Sequence, residues 1–449
     1  MRWLFLTLFS LLTLGASELL TLPQALGLLR QHNLELSIAS LDEAIARLEE
    51  TAAEGAALGS LDLTQSALRS NDALSVFGFK LQSREATFGD FGFGALPNPL
   101  DPSVVSIQPN DLNYPKTRNH FQTALEYSIP LYTGGKIEAY QKIAQSLKTL
   151  KTLDKQKLLA QKIFEVKKTF YTLSLLHSHK AQLRVIVSNI AKIQTMTQAM
   201  YDEGYAKKVD LLEIQARQSD VQRLLHQSEA NEKLLYHFLS FLVQKPIEQI
   251  AFVDEEPLFL DNDEQTVLAH NVDIQKAHKG VEISQSHINL SQSAFLPQIG
   301  AFARYGSSDD RFLNDFSDKE SYTLGLQMRW NLLNGGVDKA SLEKSRMAYL
   351  KANQQLSLAK EATLLQWRTL MMHIENDRFE IESLKKEVAL AEAIYENYAE
   401  RYREKLVSIH EVLMKQSDEI AKRLKLRELQ NRRNEKIFEL ETLSLKEMP

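Results

Sequence analysis

Apolar residues at helical spacing form long stripes along this chain. Residues 136–203 contain neither glycine nor proline, and apolar residues recur there in steps of three and four, as in Ile163, Val166, Phe170 and Leu173. Such a stripe is typical of helices that pack side by side as in a coiled coil. At 1.5 Å per residue the segment predicts a helix of roughly 100 Å, much longer than the helices of ordinary globular domains.

Four shorter segments alternate between apolar and polar residues, with the period of two that is typical of a β-strand. The predicted strands cover approximately residues 60–70, 119–131, 298–306 and 321–332. Each is long enough to cross a bilayer when it is tilted. Because four strands are too few to close a transmembrane barrel, the pattern indicates either an oligomeric barrel or a half-buried sheet of a water-soluble protein.

Motifs of the first half of the chain recur in the same order in the second half. Residues 32–36, with the sequence HNLEL, resemble residues 270–274, HNVDI, and residues 131–135, LYTGG, resemble residues 332–336, LLNGG. The offset falls from 238 to 201 residues between the two motifs, so the first copy is longer between them. Such self-similarity indicates that one structural unit is duplicated.

The duplication predicts two structural repeats, residues 18–245 and residues 246–449. Each repeat is expected to run helix, strand, loop, strand, very long helix, turn and helix. Residues 337–448 lack glycine and proline but are too many for one helix. Repeat symmetry therefore places a turn near residues 404–410, at the position equivalent to the turn at residues 204–209.

The N-terminus has the features of a signal peptide. Arg2 precedes a short apolar run, residues 3–14, which is followed by the small residues Gly15, Ala16 and Ser17. The alternative, a membrane anchor, would need a longer apolar run to span about 30 Å of hydrocarbon. We predict a signal peptide at residues 1–17 and an exported protein. Because no later apolar run has the length of a transmembrane helix, insertion into a membrane would require strands.

Composition and charge exclude several classes of function. The net charge of −5 gives no general attraction to nucleic acid. The chain has no cysteine, which excludes disulfides and a lipidated cysteine. The histidines lack the spacing of metal ligands, and no phosphate-binding loop or nucleophile motif occurs. We therefore expect no catalytic residue, no metal site and no cofactor.

A row of lysines follows the first long helix. The row consists of Lys148, Lys151, Lys155, Lys157, Lys162, Lys167 and Lys168. The favoured interpretation is a solvated basic face, and the alternative is a surface for a partner protein.

The joint order of these motifs resembles the TolC-type outer-membrane efflux proteins. The resemblance lies in residues 128–135 and 330–336, which look like that family's strand-to-helix junctions, in Leu296-Pro297, and in the turn at residues 204–210. It implies a mainly α fold with β-strands, internally duplicated. It further implies a homotrimer, in which four strands from each chain form a twelve-stranded barrel in the outer membrane of a Gram-negative bacterium. Long helices would continue this barrel as a tunnel through the periplasm.

The resemblance also implies a function without catalysis. The protein would be the exit duct of a tripartite efflux or type I secretion system, together with a periplasmic adaptor and an inner-membrane transporter. The alternative is a periplasmic coiled-coil adaptor or scaffold that has no pore.

Two sets of site residues follow from the resemblance. The strand–helix junctions are Gly134, Gly135, Gly335, Gly336 and Pro297, and the pore or tip gating candidates are Asp210, Tyr402, Glu411, Gly204, Lys405 and Val407. Family members often latch the tip with an arginine where this chain has Val407. Asp210 matches the acceptor of that latch, and Tyr402 matches a tyrosine of the second latch.

Glu411 has two compatible interpretations. Three copies of Glu411 would form an acidic ring that favours cations in the pore. Alternatively, Glu411 and Asp210 cap the helices that follow each turn, where carboxylates interact favourably with the helix dipole.

Residues 71–116, between the first two strands, are rich in phenylalanine, glycine and proline. We predict an irregular, partly strand-like loop that forms a rim or lid on the barrel. The alternative is a poorly ordered surface loop.

Overall fold

The computed structural model describes residues 19–96, 102–253, 256–259 and 263–444, and the predicted signal peptide lies outside these residues. The helices are α1 Leu22–His32, α2 Leu34–Gly55, α3 Ala73–Gln82, α4 Asn110–Asn113, α5 Lys136–Asp202, α6 Lys208–Val243, α7 Glu264–His270, α8 Val272–Ser293, α9 Val337–Arg403 and α10 Ile409–Leu443. The strands are β1 Ser60–Ser70, β2 Arg118–Tyr132, β3 Gln298–Asp309 and β4 Glu320–Arg329. None of the described helices combines the length and the apolar character that crossing a membrane requires.

The same series of elements occurs twice. The order α1, α2, β1, β2, α5, α6 is repeated by α7, α8, β3, β4, α9, α10. Helices α2 and α8 have 22 residues each, and α5 and α9 have 67 residues each. Equal lengths at equivalent places are what a duplicated unit predicts.

The fold divides into two compact units. The helical unit contains the described parts of residues 1–44, 150–278 and 354–449, and the sheet unit contains those of residues 45–149 and 279–353. Helices α5 and α9 contribute residues to both units.

The sheet unit holds one antiparallel sheet with the strand order β1-β2-β3-β4. The strands coincide closely with the predicted segments, with two differences. β3 continues to Asp309 because it stays paired with β2 up to Phe121. β4 ends at Arg329, and the indole of Trp330 instead donates a hydrogen bond to the carbonyl of Phe295 at 3.0 Å.

A core of large apolar side chains holds the helical unit together. The predicted stripe of α5 is buried there: Val166, Phe170 and Leu173 have no exposed surface. They pack with Leu29 of α1 and Leu239 of α6. Burying side chains of this size contributes about 1.5–3 kcal/mol each, so this cluster fixes α1 against the α5–α6 hairpin.

Two asparagines at equivalent repeat positions join helix ends. The amide of Asn33 donates to the carbonyl of Leu242 at 2.9 Å, and its side-chain oxygen accepts the N–H of Leu36 at 3.0 Å. Asn271 repeats this arrangement, because its amide donates to the carbonyl of Leu443 at 3.1 Å. Each side chain therefore satisfies a backbone group near the end of one helix and caps the start of another. This role explains the recurrence of the His-Asn motif.

The lysine row of α5 does not form a free solvated face. Lys155 pairs with Glu43 at 3.1 Å, and Lys162, which is buried, pairs with Glu35 at 2.7 Å. Acidic residues of neighbouring helices therefore neutralise the row, although Lys151, Lys157 and Lys168 remain about half exposed to solvent.

Replacing Asn33 with Ala removes the hydrogen-bond partner of the Leu242 carbonyl and of the Leu36 N–H. We expect a loss of about 1–3 kcal/mol of stability for Asn33→Ala, and a similar loss for Asn271→Ala. Thermal unfolding followed by circular dichroism measures the change. His32→Ala, at an exposed neighbouring position, is the matched control. Equal unfolding midpoints for Asn33→Ala and the control would contradict this role.

Candidate functional site

The register of the sheet sorts its side chains onto two chemically different faces. Residues that pair across antiparallel strands point to the same side of a sheet. One row across the four strands contains Leu63, Leu125, Tyr305 and Tyr322. The adjacent row, on the opposite face, contains Thr64, Ala124, Gly306 and Ser321. The sheet therefore has an apolar face and a polar face.

Most of the apolar face is uncovered in the described chain. Leu63 is 72% exposed, Leu324 71% and Leu326 73%. In a water-soluble antiparallel sheet, the apolar face packs on the core and the polar face is solvated. The single chain therefore does not bury this face as a half-buried sheet of a water-soluble protein would. A continuous exposed apolar surface indicates contact with a membrane or with another protein.

Pairs of glycines form the joints between strands and long helices. Gly134 and Gly135 have φ of +64° and +85°, and Gly335 and Gly336 have φ of +69° and +85°. These left-handed conformations are costly for residues with a side chain. At Gly134 a Cβ would also lie 2.7 Å from the Cβ of Leu296. The predicted joint residues thus form sharp turns, and Leu296, next to Pro297, packs on the first of them.

The turns that join α5 to α6 and α9 to α10 differ in the residue that takes a left-handed conformation. Between α5 and α6, Gly204 has φ of +84°, whereas Lys405 takes φ of +63° at the equivalent place between α9 and α10. The ammonium of Lys405 lies 4.5 Å from the ring centroid of Tyr205, a cation–π contact that links the two turns. The contact offsets part of the cost of a left-handed lysine.

Carboxylates cap the helices that follow both turns. Asp210 accepts the backbone N–H of Lys207 at 2.8 Å. Glu411 accepts the backbone N–H of Ser408 at 2.8 Å and its hydroxyl at 2.9 Å. The backbone and side-chain hydrogen bonds from Ser408 lower the pKa of Glu411 from its ordinary value of 4.5. Within one chain, both carboxylates have the geometry of helix caps.

Tyr402 is buried within the tip of the helical unit. Its hydroxyl lies 3.0 Å from the hydroxyl of Thr197 on α5 and 3.6 Å from the sulfur of Met200. Val407 packs at the edge of the same apolar cluster. Within one chain, the hydroxyl of Tyr402 therefore pairs with that of Thr197. Sequence reasoning missed Thr197, since its role depends on the lateral register of α5 and α9.

Comparison with known sequences finds a match to a family model and a match to a curated relative. Residues 265–444 match the model of the family described as outer membrane efflux protein. The alkaline protease secretion protein AprF of Pseudomonas aeruginosa is 23% identical over 185 residues, which cover 39% of this chain and 38% of AprF. The match thus spans well under half the length of this relative.

Comparison with solved structures extends over most of the chain. The structures of CusC and of the CmeC outer membrane channel of Campylobacter jejuni each give a TM-score of 0.78 at 13% identity. Both cover 94% of this chain, together with 91% of the CusC chain and 85% of the CmeC chain. The outer membrane protein VceC of Vibrio cholerae gives a TM-score of 0.75 at 17% identity, covering 94% of this chain and 95% of its own. The fold is therefore TolC-like and mostly helical with antiparallel strands, as the resemblance implied.

The contact between Tyr402 and Thr197 predicts a coupled pair. We expect Tyr402→Phe and Thr197→Val each to loosen the tip, and their combination to cost less than the sum of the two. The coupling should be about 0.5–1.5 kcal/mol, the net value of one hydrogen bond. Hydrogen exchange of the amides of α5 and α9 near the turns measures the local opening free energy. Strictly additive effects would show that the two hydroxyls do not interact.

Proposed function

We propose that this chain is an outer-membrane efflux protein of the TolC type, an exit duct that passively conducts solutes out of the cell. The family and fold are those of channel proteins of the outer membrane that extend into the periplasm. The observation that carries the proposal is the sheet with an exposed apolar face and a polar face behind it. Such a sheet suits a wall between lipid and water.

The open edges of the sheet support a homotrimer. β1 and β4 each have a single neighbour in the described chain. Unpaired backbone groups cost several kcal/mol each within a bilayer, so a membrane sheet must close on itself. Pairing β1 of one copy with β4 of the next gives a closed twelve-stranded barrel from three copies. The long helices α5 and α9 follow β2 and β4 in the chain, and we propose that they continue the barrel as the periplasmic tunnel.

The proposed partners are a periplasmic adaptor and an inner-membrane transporter, which would meet the duct at the helix turns. AprF is named for the secretion of a protease, and the matched family is named for efflux. A tunnel of the same kind serves either cargo, so we propose an exit duct of a tripartite efflux or type I secretion system. The alternative of a pore-free adaptor or scaffold does not account for the uncovered apolar face.

Glu411 is proposed to have a second role at the tip, as a member of an acidic ring of three carboxylates around the pore. In this role it would favour cations and bind multivalent cations that block the channel. The cap within each chain and the ring between chains are compatible. The same carboxylate that accepts the Ser408 N–H retains further lone pairs for pore cations.

Two substitutions of Glu411 separate these roles. Glu411→Gln keeps an acceptor for the cap but removes the charge, whereas Glu411→Ala removes both. We expect cation selectivity in a planar bilayer to fall in both variants, and thermal stability to fall clearly only in the alanine variant. The pKa of Glu411 in the folded protein lies below 4.5. The cap therefore stabilises the folded protein at neutral pH, and this stabilisation is lost as the pH falls through that pKa. Unchanged cation selectivity in both variants would rule out the proposed ring of Glu411 carboxylates.

Adjacent residues of β4 test the membrane position of the sheet. Leu324 lies on the apolar face and Thr323 on the polar face, and both are exposed in the single chain. An arginine facing lipid costs about 2–4 kcal/mol near the bilayer centre. We therefore expect Leu324→Arg to lose outer-membrane fractionation and SDS-resistant trimers, while Thr323→Arg keeps both and still conducts ions. If the two variants assemble equally well, the sheet does not face lipid.

A further inference from the structure

The segment of residues 71–91, which we call the α3 arm, lies against the polar face of the sheet. The ring of Phe79 stacks on His120 with centroids 4.1 Å apart. The carboxylate of Glu85 pairs with the guanidinium of Arg118. His120 and Arg118 share one face of β2, the face of Ala124 that also carries Thr64 and Gly306.

The covering of the polar face is local and tight. His120 and Ala124 are each 1% exposed, although they lie on the polar side of β2. Leu125, which points the other way, remains 41% exposed. Between Ala124 and Leu125, burial is therefore on the polar side, the reverse of a soluble sheet. Nearer the end of β3, Ser307 and Asp309 on the opposite face are buried as well.

Helix α3 has two different sides. Asp72 caps it by accepting the N–H of Ser75 at 2.9 Å. Val76 and Ser83 are buried and lie on the same stripe as Phe79, at steps of three and four residues. On the other side, Leu74 is 81% exposed. The arm therefore presents an apolar surface away from the wall that it covers.

Ion pairs clamp the arm to the turn between β3 and β4. Glu85 pairs with Lys319 as well as with Arg118, and Lys319 also binds Asp309 at 2.7 Å. Partial burial raises the pKa of Glu85, but the hydrogen bonds from Lys319 and Arg118 outweigh it and lower that pKa. The ammonium of Lys319 thus lies between the carboxylates of Glu85 and Asp309, at the position that a metal ion would otherwise occupy. The clamp stays charged at neutral pH.

From this arrangement we infer that the α3 arm lies inside the channel and narrows its outer exit. The inference rests on the proposed function, because a barrel with its apolar face toward lipid has its polar face toward the lumen. An arm bound to the polar face is then within the pore. Three copies would place three apolar helix sides in the exit, and apolar constrictions hinder the passage of ions by dewetting.

The inference differs from the expectation of a rim in a measurable way. A rim lies beyond the ends of the strands, whereas the arm contacts the polar face of β2 at Arg118 and His120, the first and third residues of that strand. The second repeat has only the short connection between β3 and β4 at this place. The narrowing element is therefore a property of the first repeat alone.

A single introduced cysteine tests where the arm lies. The chain has no cysteine of its own, so Leu74→Cys gives one reactive site on the exposed side of α3. A charged thiol reagent is added to trimers conducting in a planar bilayer, and mass spectrometry verifies the modification. We expect conductance to change by roughly twofold or more. Leu324→Cys, on the apolar face, is the matched control and should leave conductance unchanged.

A deletion gives the second measurement. Ser70 and Arg118 are register partners, so a two-residue Asn-Gly turn can replace residues 71–117. We expect this variant to conduct at least roughly twice as much as the full chain. Complete modification of Leu74→Cys without any change of conductance overturns the inference and leaves the duct intact. A full chain that does not conduct at all would instead refute the proposed function.

Discussion

The structure depends on one constraint: the backbone and the apolar face of its sheet need partners that a single chain does not provide. Among the described residues, β1 and β4 have one neighbour each, and the apolar row from Leu63 to Tyr322 is exposed. In water both features favour aggregation. In a bilayer, lipid covers the apolar face, and pairing between copies satisfies the edges. In the proposed trimer, each copy would add four strands to a closed wall, which would satisfy both requirements.

The elements that repeat in the sequence were predictable because each follows from a local period. The α5 stripe, the alternation in all four strands and the glycine joints at Gly134 and Gly335 lie where the pattern placed them. Features that depend on lateral register were not predictable. The partner of Tyr402 is Thr197, and the α5 lysines meet carboxylates of neighbouring helices. A single sequence does not reveal which turns of two long helices lie side by side.

The segment between β1 and β2 shows a different failure of prediction. Its glycine and phenylalanine content indicated an irregular, partly strand-like loop, but the described residues form α3, short 3-10 turns and α4, with no strand. Helix α3 has ten residues, too few for an apolar stripe to stand out. Its position depends on Phe79 and Glu85 meeting His120 and Arg118. The two repeats therefore share their scaffold and differ in the connection between their two strands.

The central claim is that three copies close one wall by pairing β1 of each with β4 of the next. Disulfide cross-linking tests it directly, because the chain has no cysteine. One cysteine is placed on β1 and one on β4, and oxidised outer membranes are run on a denaturing gel. We expect a ladder of bands that ends at a covalent trimer, and no cross-linked band from either single-cysteine chain. A monomer only, or a ladder that continues past three copies, would contradict it.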